Sequence, residues 1–577
     1  MQLVFNNINQ LWSYVLTETL KRLGISCVVI CPGSRSTPLT VAFAKQVPEI
    51  EAIPILDERS AAFFALGRAK AIGKPVAIVC TSGTAGANFY PAVIEAKESR
   101  VPLLILTTDR PPELRECHSG QTIDQVKLYG NYPHWQTELA TPIAEMGMLN
   151  YLRQTIIHAW ERCQYPVGGA VHINVPFRDP LAPIHDGTNF ILDTENFFGG
   201  IVSHPFPVPR SLFPIPPQWQ QCQRGIIIAG VAQPQDPEEY CRAIAYLSQT
   251  LQWPVLAEGL SPVRNNAELN PYLISTYDLI LRNQQLAQTL KPEIVIQIGN
   301  MPTSKELRNW LTTNRPQHWV IDSSDQNLDP LHGQTTHLRI SVEEIEKNIE
   351  IEKWEVNQYL KTWCDVDAQV RNNVDNIFVN IEPLIESKVA WLISQTLPPA
   401  TPFFIANSMP VRDVEFFWKP NNLGIKPYFN RGANGIDGTI STALGIAHQH
   451  QSSVILTGDL ALLHDTNGFL IRNKFIGHLT IILINNNGGG IFEMLPIGKF
   501  DPPFEEFFAT PQDIDFAQLC ATYGVQHELI CSWEQLQDKL EVLPNTGLRV
   551  LELKTNRKYD AKWRKENLGN FANNITV

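Results

Sequence analysis

Three times along this 577-residue chain, short uninterrupted apolar runs alternate with longer stretches of helical character. That alternation constrains the fold more than any other feature. A strand that is apolar on both faces needs both faces covered, which happens when crossover helices flank a parallel sheet. The first block holds SCVVIC (26–31), AIPIL (52–56), PVAIVC (75–80), PLLILTT (102–108) and AVHINV (170–175). The second holds GIIIAG (225–230), WPVLAE (253–258), IVIQIG (294–299) and HWVID (318–322). The third holds TPFFIAN (401–407), SSVILTGD (452–459), LTIILINN (479–486) and LRVLELK (548–554). The sequence therefore predicts an α/β protein of three successive doubly wound parallel-sheet domains, 1–190, 191–350 and 351–577. HPFPVPRSLFPIPP (204–217) reads as an extended entry linker to the second. SVEEIEKNIEIEKWEVN (341–357) reads as a solvated crossover helix.

Composition narrows the class. Apolar residues make up 44% and charged residues 18%, as in a packed globular protein. A net charge of −12 argues against nucleic acid or an anionic membrane as the main partner. No apolar run approaches the ~20 residues needed to span a bilayer, and MQLVFNNINQ has no basic leader or long apolar core. The ten Cys are scattered without a CxxC or zinc-like spacing, and Cys27, Cys31 and Cys80 fall in or beside strand-like runs, as buried thiols do. A cytoplasmic location is expected.

Ligands of open parallel sheets bind at the carboxyl ends of strands. The strand SSVILTGD ends at Gly458-Asp459. After an expected amphipathic helix, the next strand runs into Asn485, Asn486, Asn487 and the run Gly488-Gly489-Gly490. One strand–helix–strand crossover brings Asp459 and Asn486 to the same sheet edge. A carboxylate, an amide oxygen and a backbone carbonyl beyond it make a hard oxygen half-shell that suits Mg²⁺ when phosphates complete it. Gly458 and the triple glycine allow the backbone to approach a diphosphate. Gly-Asp and Asn-Asn are common in turns, and their position at strand ends is what raises them above chance. There is no Walker GK[ST] and no GxGxxG after a strand, which disfavours a P-loop NTPase or a dinucleotide enzyme.

This arrangement resembles the thiamine diphosphate-binding motif of the pyruvate decarboxylase and acetolactate synthase superfamily. The resemblance implies a pyrimidine-binding first domain, a central domain and a diphosphate- and Mg²⁺- (or Mn²⁺-) binding third domain. It also implies a catalytic acid facing the aminopyrimidine, which Glu58 in AIPILDERSAAFF supplies just after a strand. Asp57 is the local competitor, and Ser60 is a plausible cap for the helix that follows.

More specific strings are CPGSRSTPLT (31–40), TSGTAGAN (81–88), TTDRPPELRECHSGQTIDQ (107–125), ANSMPVRD (406–413), NRGANGIDGTISTALG (430–445), GDLALLHDTNGFL (458–470) and NNNGGGIFEMLP (485–496). In this order they are similar to the 2-succinyl-5-enolpyruvyl-6-hydroxy-3-cyclohexene-1-carboxylate synthase family of menaquinone and phylloquinone synthesis. Members of that family decarboxylate 2-oxoglutarate and add the product to isochorismate. Both substrates are dicarboxylates, and arginine grips carboxylates bidentately. Arg35, Arg110, Arg412 and Arg431 are all expected in strand-end loops.

By this resemblance Ser408, Arg412 and Arg431 hold the oxo acid, Ser34, Arg35, Arg110 and Gln121 meet isochorismate, and Lys305 meets a substrate carboxylate. Ser82, Ile436, Gly458, Asp459, Asn486 and Gly488 contact the cofactor, with Asp459, Asn486 and Gly488 on the metal. Ile491, Phe492 and Leu495 form an apolar wall. His118 and His464 read as structural or hydrogen-bonding rather than catalytic. Where the family often shows Lys-Arg, this chain has Lys305-Glu306, and whether Arg308 replaces the missing cation stays open. The resemblance further implies a homodimer or homotetramer with active sites at the subunit interface. The competing readings are another thiamine diphosphate-dependent carboligase such as acetolactate synthase, and a non-catalytic protein that binds an anionic metabolite.

Overall fold

The computed structural model describes residues 2–5, 7–201, 212–347, 356–573 and 575. It divides into two compact units. One comprises Met1–Val208, Asn430–His450 and Leu463–Gly477, and the other Pro209–Phe429, Gln451–Leu462 and His478–Val577.

The first unit is built on a six-stranded sheet in the order Glu51–Pro54, Cys27–Ile30, Val76–Cys80, Leu103–Asp109, Ala170–Pro176, Trp135–Glu138, every neighbouring pair parallel. A two-stranded antiparallel ribbon, Gln2–Phe5 with Phe190–Asp193, accompanies it. Its core gathers Trp12, Leu16, Val28, Val79, Leu104, Ile156 and Ile173. Helix Glu58–Ile72 is buried along Ser60–Ala69, far beyond one stripe, because helix Thr439–Ala447 packs against it.

The second unit carries two more six-stranded sheets, again parallel throughout. One runs Leu273–Ile274, Val255–Ala257, Gly225–Ala229, Ile294–Ile298, Gln317–Ile321, Thr335–Leu338. The other runs Lys426–Tyr428, Pro402–Ile405, Ser453–Gly458, His478–Asn485, Gly547–Lys554, Gln526–Ile530. Both contribute to one core with helix Gln358–Asn380, where Trp363, Phe378, Trp391, Phe417 and Trp418 are buried together.

The three-sheet α/β expectation agrees with this architecture, and all thirteen expected strands lie within a residue or two of those observed. The strands not anticipated in these sheets are Trp135–Glu138, Leu273–Ile274, Thr335–Leu338, Lys426–Tyr428 and Gln526–Ile530. All five are sheet edges, where one side meets solvent or loop and no continuous apolar run is required.

Two expectations need correction. The crossover after Asp459 is not one amphipathic helix but a short helix, Asp459–Leu463, followed by the 3₁₀ stretch Thr466–Asn473. Residues 341–347 are not helical either: Val342–Glu344 is a 3₁₀ turn closed by a Ser341/Glu344 capping box, and Ile345 bridges to Phe213. The rest of that expected helix to residue 355, and 204–211 of the expected linker, lie outside the described residues.

Candidate active site

Strands Ser453–Gly458 and His478–Asn485 are parallel neighbours, with Gly458 opposite Ile484, so Asp459 and the three asparagines emerge at one sheet edge. Asp459 is 4% exposed. Its carboxylate accepts from the Gly488 N–H at 2.9 Å and the Leu460 N–H at 2.7 Å. Burial raises its pKa to about 6, because desolvation penalises the charge more than these two bonds repay it.

The asparagines are not equivalent. Asn485 donates to Glu552 at 2.6 Å and accepts from the Asn487 N–H at 3.2 Å. Asn487 donates to Asp513 at 2.6 Å and accepts from the N–H groups of Gln512 and Asp513 at 3.1 Å. Asn486 donates to Glu386 at 2.6 Å, but its Oδ1 is buried with no hydrogen-bond partner. A buried unpartnered amide oxygen costs free energy unless a ligand completes it.

Beside it the Gly488 carbonyl accepts one bond, from Gly490 N–H at 2.9 Å, and keeps a second lone pair. A Cβ on Gly458 would meet open space, whereas one on Gly488, at φ +140°, would overlap the Ala509 carbonyl. One carboxylate, one unpartnered amide oxygen, one carbonyl and open room next to Gly458 fit a hard cation accompanied by a diphosphate. Among the described residues there is no cluster of three His, Cys, Asp or Glu that could hold a metal, so amide, carbonyl and phosphate oxygens would have to complete the shell.

The Gly488–Gly490 turn leads into helix Gly490–Glu493, which carries half-buried Ile491 and Phe492, and Phe492 packs edge-on to Phe508. Leu495 is 46% exposed. Arg557 had no signal in the motifs yet stitches this loop. It donates to the Asn487 carbonyl at 3.0 Å and ion-pairs with Glu493 at 3.2 Å and with Glu505. It follows strand Gly547–Lys554 of the same sheet, so the strand-end rule could have found it.

Ser408 holds an unusual φ of +73° at the start of helix Met409–Phe417. Arg412 lies in that helix rather than in a strand-end loop, and its guanidinium donates back to the Ser408 carbonyl at 2.5 Å. The oxo-acid candidates on this segment therefore sit on one helical turn. Lys305 is exposed at the first position of helix Lys305–Asn314, with Ser304 as its cap. Glu306 faces Arg282 at 3.7 Å, while half-buried Arg308 donates to the Pro302 carbonyl at 2.9 Å.

In the first unit the helix cap is Asp57, not Ser60. Its Oδ1 accepts from the Ser60 N–H at 3.1 Å, and its Oδ2 accepts from Asn467 at 2.7 Å. Both oxygens of Asp57 are engaged, and Glu58 stands next to it at the first helical position. Ser60 and Ser441 instead share Asp465, whose pKa burial pushes up to about 6. His464 contributes its carbonyl to Arg59 at 2.7 Å, and His118 is exposed, so neither ring is engaged where chemistry is expected.

Ser82, Arg110 and Gln121 form one hydrogen-bonded knot. Arg110 donates to Ser82 Oγ at 2.6 Å and to the Gln121 carbonyl at 2.9 Å, and Gln121 donates to the Ser82 carbonyl at 3.0 Å. Arg35 joins through its backbone N–H, which donates to Thr81 Oγ1 at 3.2 Å. Its guanidinium is mostly buried, donates to the Phe177 carbonyl at 3.0 Å, and has its pKa lowered chiefly by that burial. Ser34 is exposed one residue away.

Beneath the knot lies a buried polar lattice that the sequence did not announce. Asn174 donates to Asp109 at 2.9 Å and Glu138 at 2.8 Å, Arg115 pairs with both acids, and Gln125 donates to Asn174 at 2.9 Å. Arg431 and Ile436 are half-buried in the loop ahead of helix Thr439–Ala447. Glu95 anchors that loop by accepting from the N–H groups of Gly432 at 3.0 Å and Ala433 at 2.7 Å.

Two family models match the chain: the N-terminal TPP-binding domain of thiamine pyrophosphate enzymes over residues 12–128, and the middle domain of thiamine pyrophosphate over residues 214–405. Curated relatives match end to end. A 2-succinyl-5-enolpyruvyl-6-hydroxy-3-cyclohexene-1-carboxylate synthase from Trichormus variabilis is 73% identical, with 99% of each chain covered. The protein of that name from Nostoc sp. is also 73% identical, with 99% of each chain covered. That from Gloeothece citriformis is 64% identical, covering 99% of this chain and 100% of its own.

Proposed function

We propose, for a chain that belongs to the 2-succinyl-5-enolpyruvyl-6-hydroxy-3-cyclohexene-1-carboxylate synthase family, that it is a transferase of menaquinone and phylloquinone biosynthesis. It decarboxylates 2-oxoglutarate and adds the succinyl unit to isochorismate. The observation that carries this reading is 73% identity sustained over 99% of the chain.

Thiamine diphosphate, the cofactor of the matched domain families, supplies an electron sink for loss of CO₂ when bound. Asp459, the unpartnered Asn486 Oδ1 and the Gly488 carbonyl would hold Mg²⁺ or Mn²⁺, with the diphosphate against Gly458. Glu58 would hydrogen-bond a ring nitrogen of the aminopyrimidine and so set where that ring keeps its proton. Ser82 and Ile436 are the remaining cofactor contacts.

Ser408, Arg412 and Arg431 would hold 2-oxoglutarate, while Ser34, Arg35, Arg110 and Gln121 would receive isochorismate, with Lys305 on a substrate carboxylate. The Ser82–Arg110–Gln121 knot supports the isochorismate assignment, because a guanidinium already fixed by two hydrogen bonds loses little freedom on gripping a carboxylate. Ile491, Phe492 and Leu495 would limit water around the reacting carbon.

The domains are a pyrimidine-binding 1–190, a central 191–350 and a diphosphate-binding 351–577. The active enzyme is a homodimer or homotetramer with sites at the subunit interface. A cytoplasmic setting suits ten free cysteines, and among the described residues no helix is long and apolar enough to cross a membrane.

The test follows CO₂ release with Mg²⁺ and thiamine diphosphate present. Release from 2-oxoglutarate, rapid turnover once isochorismate is added, and none from pyruvate are expected. Turnover of pyruvate instead would assign the chain to acetolactate-type chemistry.

A further inference from the structure

Asn486 can present a cation with either end of its amide, and something must choose the oxygen. Glu386 begins helix Glu386–Thr396, far from the glycine-rich turn in sequence but in the same compact unit, and is 3% exposed. Its Oε1 accepts from Asn486 Nδ2 at 2.6 Å. Its Oε2 accepts from Arg564 at 2.8 Å, and its own N–H donates to Asp560 at 2.9 Å. Arg564 is gripped from the other side by Asp413, at 2.6 and 3.1 Å. An ionised carboxylate only accepts hydrogen bonds. Turning the Asn486 amide over would set its oxygen against Oε1 at hydrogen-bond distance, with no proton between two acceptors. The end pointing away from Glu386 is Oδ1, the buried atom without a partner.

We infer that Glu386 is a positioning residue of the cation site, which holds the Asn486 amide with its oxygen turned to the metal. Arg564 keeps Glu386 from swinging away and offsets the charge that a buried carboxylate brings. The inference rests on the reading that places a divalent cation at Asn486. Its physical content is a polarity: acceptor at residue 386, donor then oxygen at residue 486. Outer partners of this kind govern metal affinity by about 10–100-fold.

The polarity can be reversed. In Glu386→Gln the new NH₂ donates, the Asn486 amide turns over, and its NH₂ group faces the metal. Asn486→Asp, with an oxygen at both ends of its side chain, is satisfied only when residue 386 is a donor. Binding is read on the full-length protein by Mn²⁺ electron paramagnetic resonance with thiamine diphosphate present, and by the Mg²⁺ dependence of cofactor quenching of tryptophan fluorescence.

Glu386→Gln is expected to weaken Mn²⁺ binding about 10–100-fold. Asn486→Asp is expected to bind Mn²⁺ more tightly when combined with Glu386→Gln than when made alone, which is a coupling a general loss of packing would not produce. Asp413→Asn, which removes a charge from the same buried network but leaves the Arg564–Glu386 pair and the Glu386–Asn486 bond in place, should weaken Mn²⁺ binding far less than Glu386→Gln. Should Glu386→Gln fail to fold, Glu386→Asp withdraws the acceptor while keeping the charge opposite Arg564, and the same weakening is expected.

Equal effects of Asn486→Asp with and without Glu386→Gln, or equal weakening by Asp413→Asn, would overturn the inference. If the parent binds and Asn486→Ala loses the cation while Glu386→Gln retains it, this inference alone fails. If the parent shows no Mg²⁺-dependent cofactor binding, the cation reading itself falls and takes this one with it.

Discussion

A Cβ on Gly67 would overlap the carbonyl oxygen of Thr442, because helices Glu58–Ile72 and Thr439–Ala447 meet backbone to backbone. Gly445 repeats the relationship, with a Cβ there running into the Phe64 carbonyl. The first helix carries Glu58 and the second follows the loop of Arg431 and Ile436, so this close approach fixes two groups of proposed site residues.

Gly67→Ala should therefore destabilise the protein. In an exposed helix the change would gain about 1 kcal/mol of propensity. Here the neighbour is main chain that cannot yield, and overpacking costs about 1–3 kcal/mol. The net effect should be a lower denaturation midpoint in guanidinium. A midpoint at or above that of the parent would show that the helices are not in backbone contact.

Glu58→Gln should abolish turnover, by at least the ~10²–10⁴-fold of a lost acid–base group, while cofactor still binds with Mg²⁺. Mixing Glu58→Gln chains with Asp459→Ala chains, dissociating them and letting them reassociate then tests the proposed interface site. Mixed dimers would hold one site with both residues intact, so about a quarter of parental activity should return under random pairing. Exchange of subunits without any recovery would rule out a shared site.

Arg412→Ala and Arg431→Ala should damage decarboxylation of 2-oxoglutarate measured without acceptor. Arg35→Ala should spare that half-reaction and impair the use of isochorismate. Losing one bidentate charged contact should cost about 2–5 kcal/mol where the partner charge stays buried. Equal damage from all three substitutions would end this division of labour.

His172 predicts a pH response of stability. It is buried against Thr107, at 2.7 Å, and burial lowers its pKa to about 3. The unfolded chain protonates this ring near pH 6.5, so below that value it binds more protons than the folded one. The stability His172 contributes is complete above pH 6.5 and drains away as pH falls towards 3. At about 1.4 kcal/mol per pH unit, some 2–3 kcal/mol should be gone by pH 4.5. Ring NMR should find the folded imidazole neutral at pH 5, and a ring that titrates above pH 5 would contradict this.

The sequence by itself determined the three parallel sheets, because a strand covered on both faces must be apolar throughout and such runs are read locally. It also determined that Gly458-Asp459 and the asparagine–glycine run lie at strand carboxyl ends, since strand boundaries and glycine-rich turns are local features too. Edge strands such as Lys426–Tyr428 escaped because half-exposed backbone imposes no such pattern.

Only the tertiary structure decided which of three adjacent asparagines keeps an unpartnered oxygen, that Asp57 is consumed as a cap while Glu58 is not, and that Arg412 lies in a helix. Each answer about a polar group depends on a partner distant in sequence: Glu386, Glu552 or Asp513 for the asparagines, and Asn467 for Asp57. Hydrophobic periodicity fixes which face of an element is buried. The hydrogen-bond partner a buried polar group finds there is fixed only when distant elements pack, because a desolvated donor or acceptor must take whatever complementary group that packing brings within reach.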